Sequence, residues 1–226
     1  MSTGREPGVG RRAMSRRQAV GAMAAAAAAV VPRAAGASSH PDARPSCRDA
    51  RLNTKGSRLR QSVSRWCYSR IPLDDLCIAA NDIGLQAIDL LSENEWAVPR
   101  RHGLTCAMAN GFGTIPKGFN RPDNHDQLVS DAERMIPLAA AAGVLNIVVF
   151  SGNRGGLSDG EGIANCVAGL KRVVATAERH GVTLCLELLN SKVDHKDYHA
   201  DHTAWGAQVV EGVNSPRLRL LYDIYH

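Results

Sequence analysis

The chain has 226 residues, with 27 basic and 22 acidic side chains, a formal net charge of +5 and a pI near 9.0. Six of the 27 basic residues and one of the 22 acidic residues lie in the first 37 positions, so the remainder carries 21 of each and no formal net charge. A nucleic-acid groove needs an excess of lysine and arginine, which the body of the chain does not have. The composition therefore predicts that nucleic acid is not a partner.

The first 37 residues have the order of features that is typical of an export signal. Arg16 and Arg17 precede an alanine-rich apolar run over 20–31, and Ala35-Gly36-Ala37 resembles a cleavage site. The run is shorter than the roughly 20 apolar residues of a membrane-spanning helix. We therefore predict a twin-arginine signal peptide at 1–37, export to the periplasm and no membrane span after cleavage. An alanine-rich tail or an uncleaved anchor is the alternative.

Residues 38–56 are rich in Ser, Pro, Arg and Asp without periodicity, and they are predicted to form a linker. After it, short apolar runs alternate with helical patterns. The runs with the pattern of strands are Arg60–Ser64, Leu85–Leu91, Leu104–Ala109, Leu145–Phe150, Val182–Leu188 and Leu218–Tyr225.

Helices are predicted between these strands. The clearest one begins at a capping box formed by Ser158 and Glu161 and ends at Gly181. A second helix runs from about 128 to Gly143, and a third begins near Pro72.

Strands that alternate with helices indicate a parallel sheet, either open or closed into a barrel. No G-x-G-x-x-G motif follows a strand, which weakens the case for a nucleotide-binding open sheet. A complete barrel has eight units in about 250 residues. We therefore predict an α/β fold at 57–226, a TIM (β/α)8-type barrel that is incomplete, with about six of the eight units.

Two predicted strands run into a carboxylate, the first at Glu187 and the next at Asp223. Carboxyl ends of neighbouring barrel strands converge on one face, where barrel enzymes have their active sites. A carboxylate at the end of an apolar strand is costly unless it is paired or bound to a cation, and hard oxygen ligands suit Mg²⁺ or Mn²⁺. Position alone leaves a metal site and a salt-bridged carboxylate equally open.

Other polar side chains follow the predicted strands. The loop after Glu187 contains three histidines, of which His195 is our candidate for substrate contact, with a solvated polar loop as the alternative. Asn110 and Ser151 end the third and fourth strands and could bind substrate hydroxyls. Asn and Ser are also common turn residues.

Several of these stretches together resemble the hydroxypyruvate isomerase family, within the xylose-isomerase-like sugar isomerases and epimerases. The resemblance covers about residues 57–226. It is carried by the segments 61–68, 106–111 and 150–154, and most strongly by Cys185–Lys192 and Leu220–His226.

The resemblance implies a metal-dependent isomerase. In that family, Glu187 and Asp223 correspond to two of the four ligands of one divalent ion, here Mg²⁺ or Mn²⁺, and Glu187 is also catalytic. His226 and Asn190 are implied as substrate contacts. The implied reaction interconverts a small ketose and aldose, or hydroxypyruvate and tartronate semialdehyde, by proton transfer through an enediolate.

The family's other two ligands follow strands seven and eight, which this sequence does not contain. We therefore expect a C-terminally truncated chain that binds metal weakly and is inactive alone. A sugar 3-epimerase on the same barrel and a non-catalytic remnant of the fold stay open as alternatives. Abasic-site endonucleases share the barrel, but they need more histidine ligands and a basic groove. Family members often form dimers or tetramers, so a homo-oligomer is a further hypothesis.

Overall fold

The computed structural model describes residues 59–226. The predicted signal peptide and linker lie outside the described residues, and both stay predictions. The strands are β1 (Ser62–Ser64), β2 (Ala87–Asp89), β3 (Asn146–Val149), β4 (Thr183–Glu187) and β5 (Leu218–Leu221). The α-helices are α1 (Leu73–Asp82), α2 (Val98–Arg101), α3 (His125–Ala142), α4 (Asp159–His180) and α5 (Thr203–Val213). Short 3₁₀ helices occupy Arg65–Tyr68, Glu93–Glu95 and Pro122–Asn124.

All strand pairs in this part of the chain are parallel. β1 pairs with β2, and β4 lies between β3 and β5. Single parallel bridges join Ala109 to Leu91 on one side and to Ile147 on the other, which connects the two sheets. The predicted fold is confirmed: the chain is of the α/β class and forms part of a TIM barrel, with helices between successive parallel strands.

The third predicted strand, Leu104–Ala109, forms only isolated bridges, so this prediction was wrong in detail. The cause lies in the neighbouring strands' side chains. Asp89 accepts hydrogen bonds from the backbone amides of Ala107 and Met108, each at 3.1 Å. Asn146 donates its side-chain amide to the Ala107 carbonyl at 2.8 Å. These bonds occupy backbone groups that a regular ladder would use.

The last strand is also shorter than predicted, because it ends at Leu221 instead of Tyr225. The Asp223 carboxylate accepts the Tyr225 backbone amide at 2.8 Å, and the His226 amide donates to the Asp223 carbonyl at 3.1 Å. Both bonds close a turn directly after the strand. The turn brings His226 back toward the strand end.

The predicted helix signals are confirmed. Ser158 accepts the amide of Glu161, whose carboxylate accepts the Ser158 amide in return, and α4 begins there. Helices α3 and α4 end at Gly143 and Gly181, with φ of 78° and 68°, where a left-handed residue is needed. Pro72 is the N-cap residue of α1.

The core lies between the strands and the helices that follow them. Its strand side includes Ile88, Ile147, Leu184, Leu186 and Leu218, and its helix side includes Leu128, Ile136, Leu170, Val173 and Val209. Among residues 59–226, no helix has the length and apolar character that crossing a bilayer requires. The core fixes the strands, and their carboxyl ends carry the polar groups described next.

Candidate active site

Glu187 and Asp223 lie at the carboxyl ends of adjacent strands. Glu187 is the last residue of β4 and is paired in register with Leu221, the last residue of β5. Asp223 follows two positions later in the turn. Buried apolar residues precede both carboxylates, Leu186 in β4 and Leu218 in β5, and their packing in the core fixes the position of the two strands. The sequence-based expectation that these two carboxylates meet at one face agrees with this register.

Glu187, Asp223 and His226 form one cluster. Each offers a ligand atom, and these atoms all lie within 4.8 Å of one another. The Nε2 atom of His226 is 3.9 Å from Oδ2 of Asp223, and the histidine side chain is only 10% exposed. Within the described residues, this is the cluster of ionisable side chains whose spacing suits a metal ion.

The electrostatics of the cluster are unfavourable to a negative charge on Glu187. Burial raises the pKa of the Glu187 carboxyl to about 7, and the nearby charge of Asp223 acts in the same direction. A divalent cation between the two carboxylates would remove this penalty, because it would neutralise both charges. Two carboxylates are hard oxygen donors of the kind that Mg²⁺ and Mn²⁺ prefer. The donor set therefore fits a divalent metal ion.

The hydrogen bonds of His226 decide which of its ring nitrogens carries the proton. Its Nδ1 atom receives the Asn190 backbone amide at 3.2 Å and the Asn190 side-chain amide at 3.0 Å. The Asn190 side chain is oriented by its own oxygen, which accepts the amides of Val193 and Asp194. Because Nδ1 is an acceptor, the neutral ring has its proton on Nε2. His226 thus presents an N–H donor to the cluster.

His195 lies beside this cluster. Its ring centroid is 5.2 Å from that of His226, and its backbone amide donates to the Asn190 carbonyl at 3.1 Å. Of the predicted site residues, the structure therefore brings together Glu187, Asp223, His226, Asn190 and His195.

Asn110 and Ser151 are placed differently. Asn110 is exposed, and its side-chain amide donates to the Leu90 carbonyl at 2.9 Å. Ser151 is fully buried, and its hydroxyl accepts the Ala200 amide and donates to the Gly152 carbonyl. The hydrogen bonds of both side chains go to the backbone, and substrate contact by either one stays a prediction.

The loop after β4 is more buried than a solvated polar loop would be. Tyr198 and His199 are both fully inaccessible, and Ala200 is buried beside them. The Tyr198 hydroxyl donates to the backbone carbonyl of Glu187 at 2.9 Å. Sequence patterns gave no sign of this contact, since Tyr198 stands in a segment dominated by Lys, Asp and His. A lone aromatic residue in such a segment is the one feature that could have suggested an anchor.

The comparisons with known proteins agree with this fold. Residues 80–226 match the xylose isomerase-like TIM barrel family. No protein of curated function matches the sequence.

Solved structures of low sequence identity share the architecture. The structure of AP endonuclease, family 2, from Brucella melitensis is 17% identical with a TM-score of 0.65, covering 74% of this chain and 69% of that one. The IolI protein with a bound zinc atom is 16% identical with a TM-score of 0.60, covering 74% and 64%. D-psicose 3-epimerase from Clostridium cellulolyticum H10, with D-tagatose, is 14% identical with a TM-score of 0.58, covering 72% and 62%. The match over residues 80–226 takes in both carboxylates of the cluster, and the chain belongs to the xylose isomerase-like TIM barrel family.

Proposed function

We propose that the Glu187 cluster catalyses metal-assisted proton transfer between adjacent carbons of a small hydroxy-carbonyl compound. The observation that carries the proposal is the pair of carboxylates at adjacent strand ends, whose ligand atoms lie within 4.8 Å of each other and of His226. A carboxylate that is held beside a reacting carbon can take a proton from it and return it. Membership of the family, which includes sugar isomerases and epimerases, is consistent with this chemistry.

Glu187 and Asp223 are the residues that would hold the divalent ion, Mg²⁺ or Mn²⁺. The bound ion would polarise the substrate carbonyl and lower the cost of negative charge on its oxygen. Glu187, once ionised, takes a proton from the carbon next to the carbonyl. The electrons of that C–H bond form the double bond of an enediolate, and the carbonyl oxygen gains the negative charge.

His226 supplies the hydrogen bond that this oxygen needs. Its Nε2–H faces the cluster because Asn190 occupies Nδ1. A donor that is oriented before the reaction stabilises developing charge without reorganisation. The proton on Glu187 then passes to the former carbonyl carbon, and the hydroxyl proton of the neighbouring carbon passes to the former carbonyl oxygen. A new carbonyl forms on that neighbouring carbon, which completes an isomerisation with no net change in atoms or charge.

We further propose hydroxypyruvate, interconverted with tartronate semialdehyde, as the substrate class. Lys192 and Lys196 are exposed on the loop that contains Asn190 and His195, and they would attract a substrate carboxylate. The sugar 3-epimerase alternative is supported only by structures of D-psicose 3-epimerase, and their similarity to this chain shows the fold alone. Export through the twin-arginine route and homo-oligomerisation are further proposals that rest on the leader and on the family.

The test is proton exchange in D₂O. The 226-residue chain with Mn²⁺ is incubated with hydroxypyruvate or D-fructose, and loss of the C–H signals next to the carbonyl is followed by NMR against a Mn²⁺-only blank. We propose that exchange in hydroxypyruvate occurs, contrary to the sequence-based expectation of an inactive chain. The exchange should disappear in Glu187→Gln and persist in Glu133→Gln, an exposed glutamate on α3. Exchange that is equal in all three proteins, or absent from the unmodified chain, would favour the non-catalytic remnant. Exchange in D-fructose alone would favour a sugar substrate.

A further inference from the structure

The parallel ladder between β3 and β4 lacks one backbone hydrogen bond at its carboxyl end. The pairing runs from Asn146↔Thr183 to Val149↔Leu186, and the Thr183 amide donates to the Leu145 carbonyl at 2.7 Å. In a parallel ladder the bonds recur regularly along each strand at every second residue. Continued two residues beyond the last pair, this register would join the Ser151 amide to the Glu187 carbonyl.

A side chain takes the place of that bond. The Tyr198 hydroxyl accepts the Ser151 amide at 3.0 Å and donates to the Glu187 carbonyl at 2.9 Å. A phenolic hydroxyl can do both at once, because it has a proton and free lone pairs. The two backbone groups are thereby both satisfied, but they are bridged through the phenolic oxygen instead of being bonded directly.

We propose that Tyr198 is a positioning residue for Glu187: its hydroxyl holds the ends of β3 and β4 apart and so aims the Glu187 carboxylate at Asp223. The inference rests on the proposed function of the cluster. A carboxylate at the last residue of a strand takes its direction from the backbone at that residue. The bridge at the Glu187 carbonyl fixes that backbone.

Tyr198 cannot withdraw easily, since its loop is fixed to the segment after β3 on both sides of it. The His199 amide donates to the Gly152 carbonyl at 3.0 Å, and the Ala200 amide to the Ser151 hydroxyl at 3.0 Å. Before Tyr198, the Asp197 carbonyl accepts the Arg154 amide at 2.6 Å. The tyrosine ring is itself fully buried. These contacts keep the hydroxyl between the strands.

The same loop also reaches the histidine side of the cluster. The Tyr198 amide donates to the His195 carbonyl at 2.9 Å, and the His195 amide donates to the Asn190 carbonyl at 3.1 Å. Asn190 in turn contacts His226. The loop that carries Tyr198 therefore connects the backbone of Glu187 with His226, the hydrogen-bond donor of the cluster.

A tyrosine that merely filled the core would be replaced by phenylalanine without consequence for the site. The first experiment therefore compares Tyr198→Phe with Tyr68→Phe, an exposed tyrosine, and with the unmodified chain. Mn²⁺ dissociation constants are measured by electron paramagnetic resonance at about pH 8, above the pKa of about 7 of Glu187, where that carboxylate is ionised. We expect Tyr198→Phe to weaken Mn²⁺ binding by about tenfold to a hundredfold, the usual effect of losing a partner that orients a ligand. Tyr68→Phe should bind as the unmodified chain does.

A second measurement separates the inference from the function on which it rests. In the metal-free Tyr198→Phe protein, the Ser151 amide and the Glu187 carbonyl should close to a direct hydrogen bond of about 2.9 Å, visible in a crystal structure. Unchanged Mn²⁺ affinity in a folded Tyr198→Phe protein would overturn the inference. If the unmodified chain binds no Mn²⁺, the proposed function fails, and the metal-free structure decides: closure supports the positioning role, and an unchanged separation overturns it.

If Tyr198→Phe does not fold, NMR of the unmodified chain decides. A slowly exchanging Tyr198 hydroxyl proton with a cross-peak to the Ser151 amide supports the bridge. A hydroxyl proton that exchanges rapidly with water and shows no such cross-peak overturns it.

Discussion

His226 points its Nδ1 atom at Asn190, whose backbone amide lies 3.2 Å away and whose side-chain amide lies 3.0 Å away. A backbone amide can only donate, so Nδ1 must accept and the proton of the neutral ring is on Nε2. A protonated nitrogen has no lone pair for a metal ion. His226 therefore lies within the spacing of a metal ligand but has the chemistry of a hydrogen-bond donor.

The first prediction separates these two roles. His226→Gln, which keeps a side chain of similar reach but not the imidazole ring that Asn190 orients, should leave Mn²⁺ affinity unchanged within error. It should lower the rate of substrate proton exchange by about a hundredfold, because an oriented donor to the developing oxyanion is lost. Mn²⁺ binding and exchange in D₂O are measured on the same preparation.

Asp223→Asn is the matched variant for this experiment, since it removes a charge that we assign to the metal. It should weaken Mn²⁺ binding by at least about tenfold. If His226→Gln weakens Mn²⁺ binding as much as Asp223→Asn does, His226 is a ligand and the proton assignment is wrong.

The second prediction concerns the pH dependence of metal binding. The pKa of Glu187 is raised to about 7 by burial and by Asp223, and only the ionised carboxylate binds a cation. The Mn²⁺ association constant should therefore rise about tenfold per pH unit up to about pH 7 and then level off. Titrations in a series of buffers at constant ionic strength check this. A profile that levels off near pH 5, close to the ordinary pKa of a glutamate, would contradict it.

The third prediction is the effect of the same group on folding stability without metal. The pKa of Glu187 is higher in the folded state than its ordinary value of 4.5, so the folded state favours the protonated carboxyl. Its contribution to stability is complete below that ordinary value and is lost as the pH rises through about 7. Glu187→Gln should thus stabilise the metal-free protein above this pH, by at most about 3 kcal/mol, and hardly at all in acid.

Urea unfolding of the metal-free protein on both sides of pH 7 measures this difference. Glu133→Gln on the exposed face of α3 controls for the loss of a charge in general. A stabilisation by Glu187→Gln that does not change with pH would show that the carboxyl is not held protonated by its surroundings.

The sequence predicted the features that depend on local rules. The capping box at Ser158 and the glycine after α4 are short-range signals, and both are present. Alternation of strands and helices indicated parallel pairing, which places Glu187 and Asp223 at one edge whatever the details of the loops. The position of the cluster could therefore be predicted from the two strands that end at these carboxylates.

The features that sequence reasoning missed depend on side chains meeting across long stretches of chain. The third predicted strand does not form a regular ladder, because the Asp89 carboxylate accepts the backbone amides of Ala107 and Met108. The hydrophobic pattern of 104–109 does not indicate this contact. The loop around Tyr198 reads as polar, but tertiary packing buries it. Likewise, the family resemblance assigned Asn190 to the site. That Asn190 fixes which ring nitrogen of His226 carries the proton could be seen only from the positions of the two side chains.

The final prediction uses one such long-range contact, between Gly162 on α4 and the ring of His199. A β-carbon at Gly162 would lie 2.0 Å from Cε1 of His199, well inside contact distance. The ring is fully buried, with Trp205 at a centroid distance of 4.9 Å and the Asn120 side-chain amide 3.1 Å from its Nδ1, so it has no room to move. Gly162→Ala should therefore destabilise the protein by about 1–3 kcal/mol, the usual cost of overpacking a core.

Gly160→Ala is the matched control on the same helix, because a β-carbon added at Gly160 would have nothing within 4 Å of it. Alanine is the better helix former, so this variant should be neutral or more stable by up to about 1 kcal/mol. Urea unfolding of the two variants side by side gives the comparison. Equal stabilities would mean that the His199 ring yields to the added methyl group, and that the loop carrying Tyr198 is held less firmly than its contacts indicate. A large loss confined to Gly162→Ala would show that the loop is fixed against α4 as well as against the segment after β3, which is the rigidity that positioning of Glu187 by Tyr198 requires.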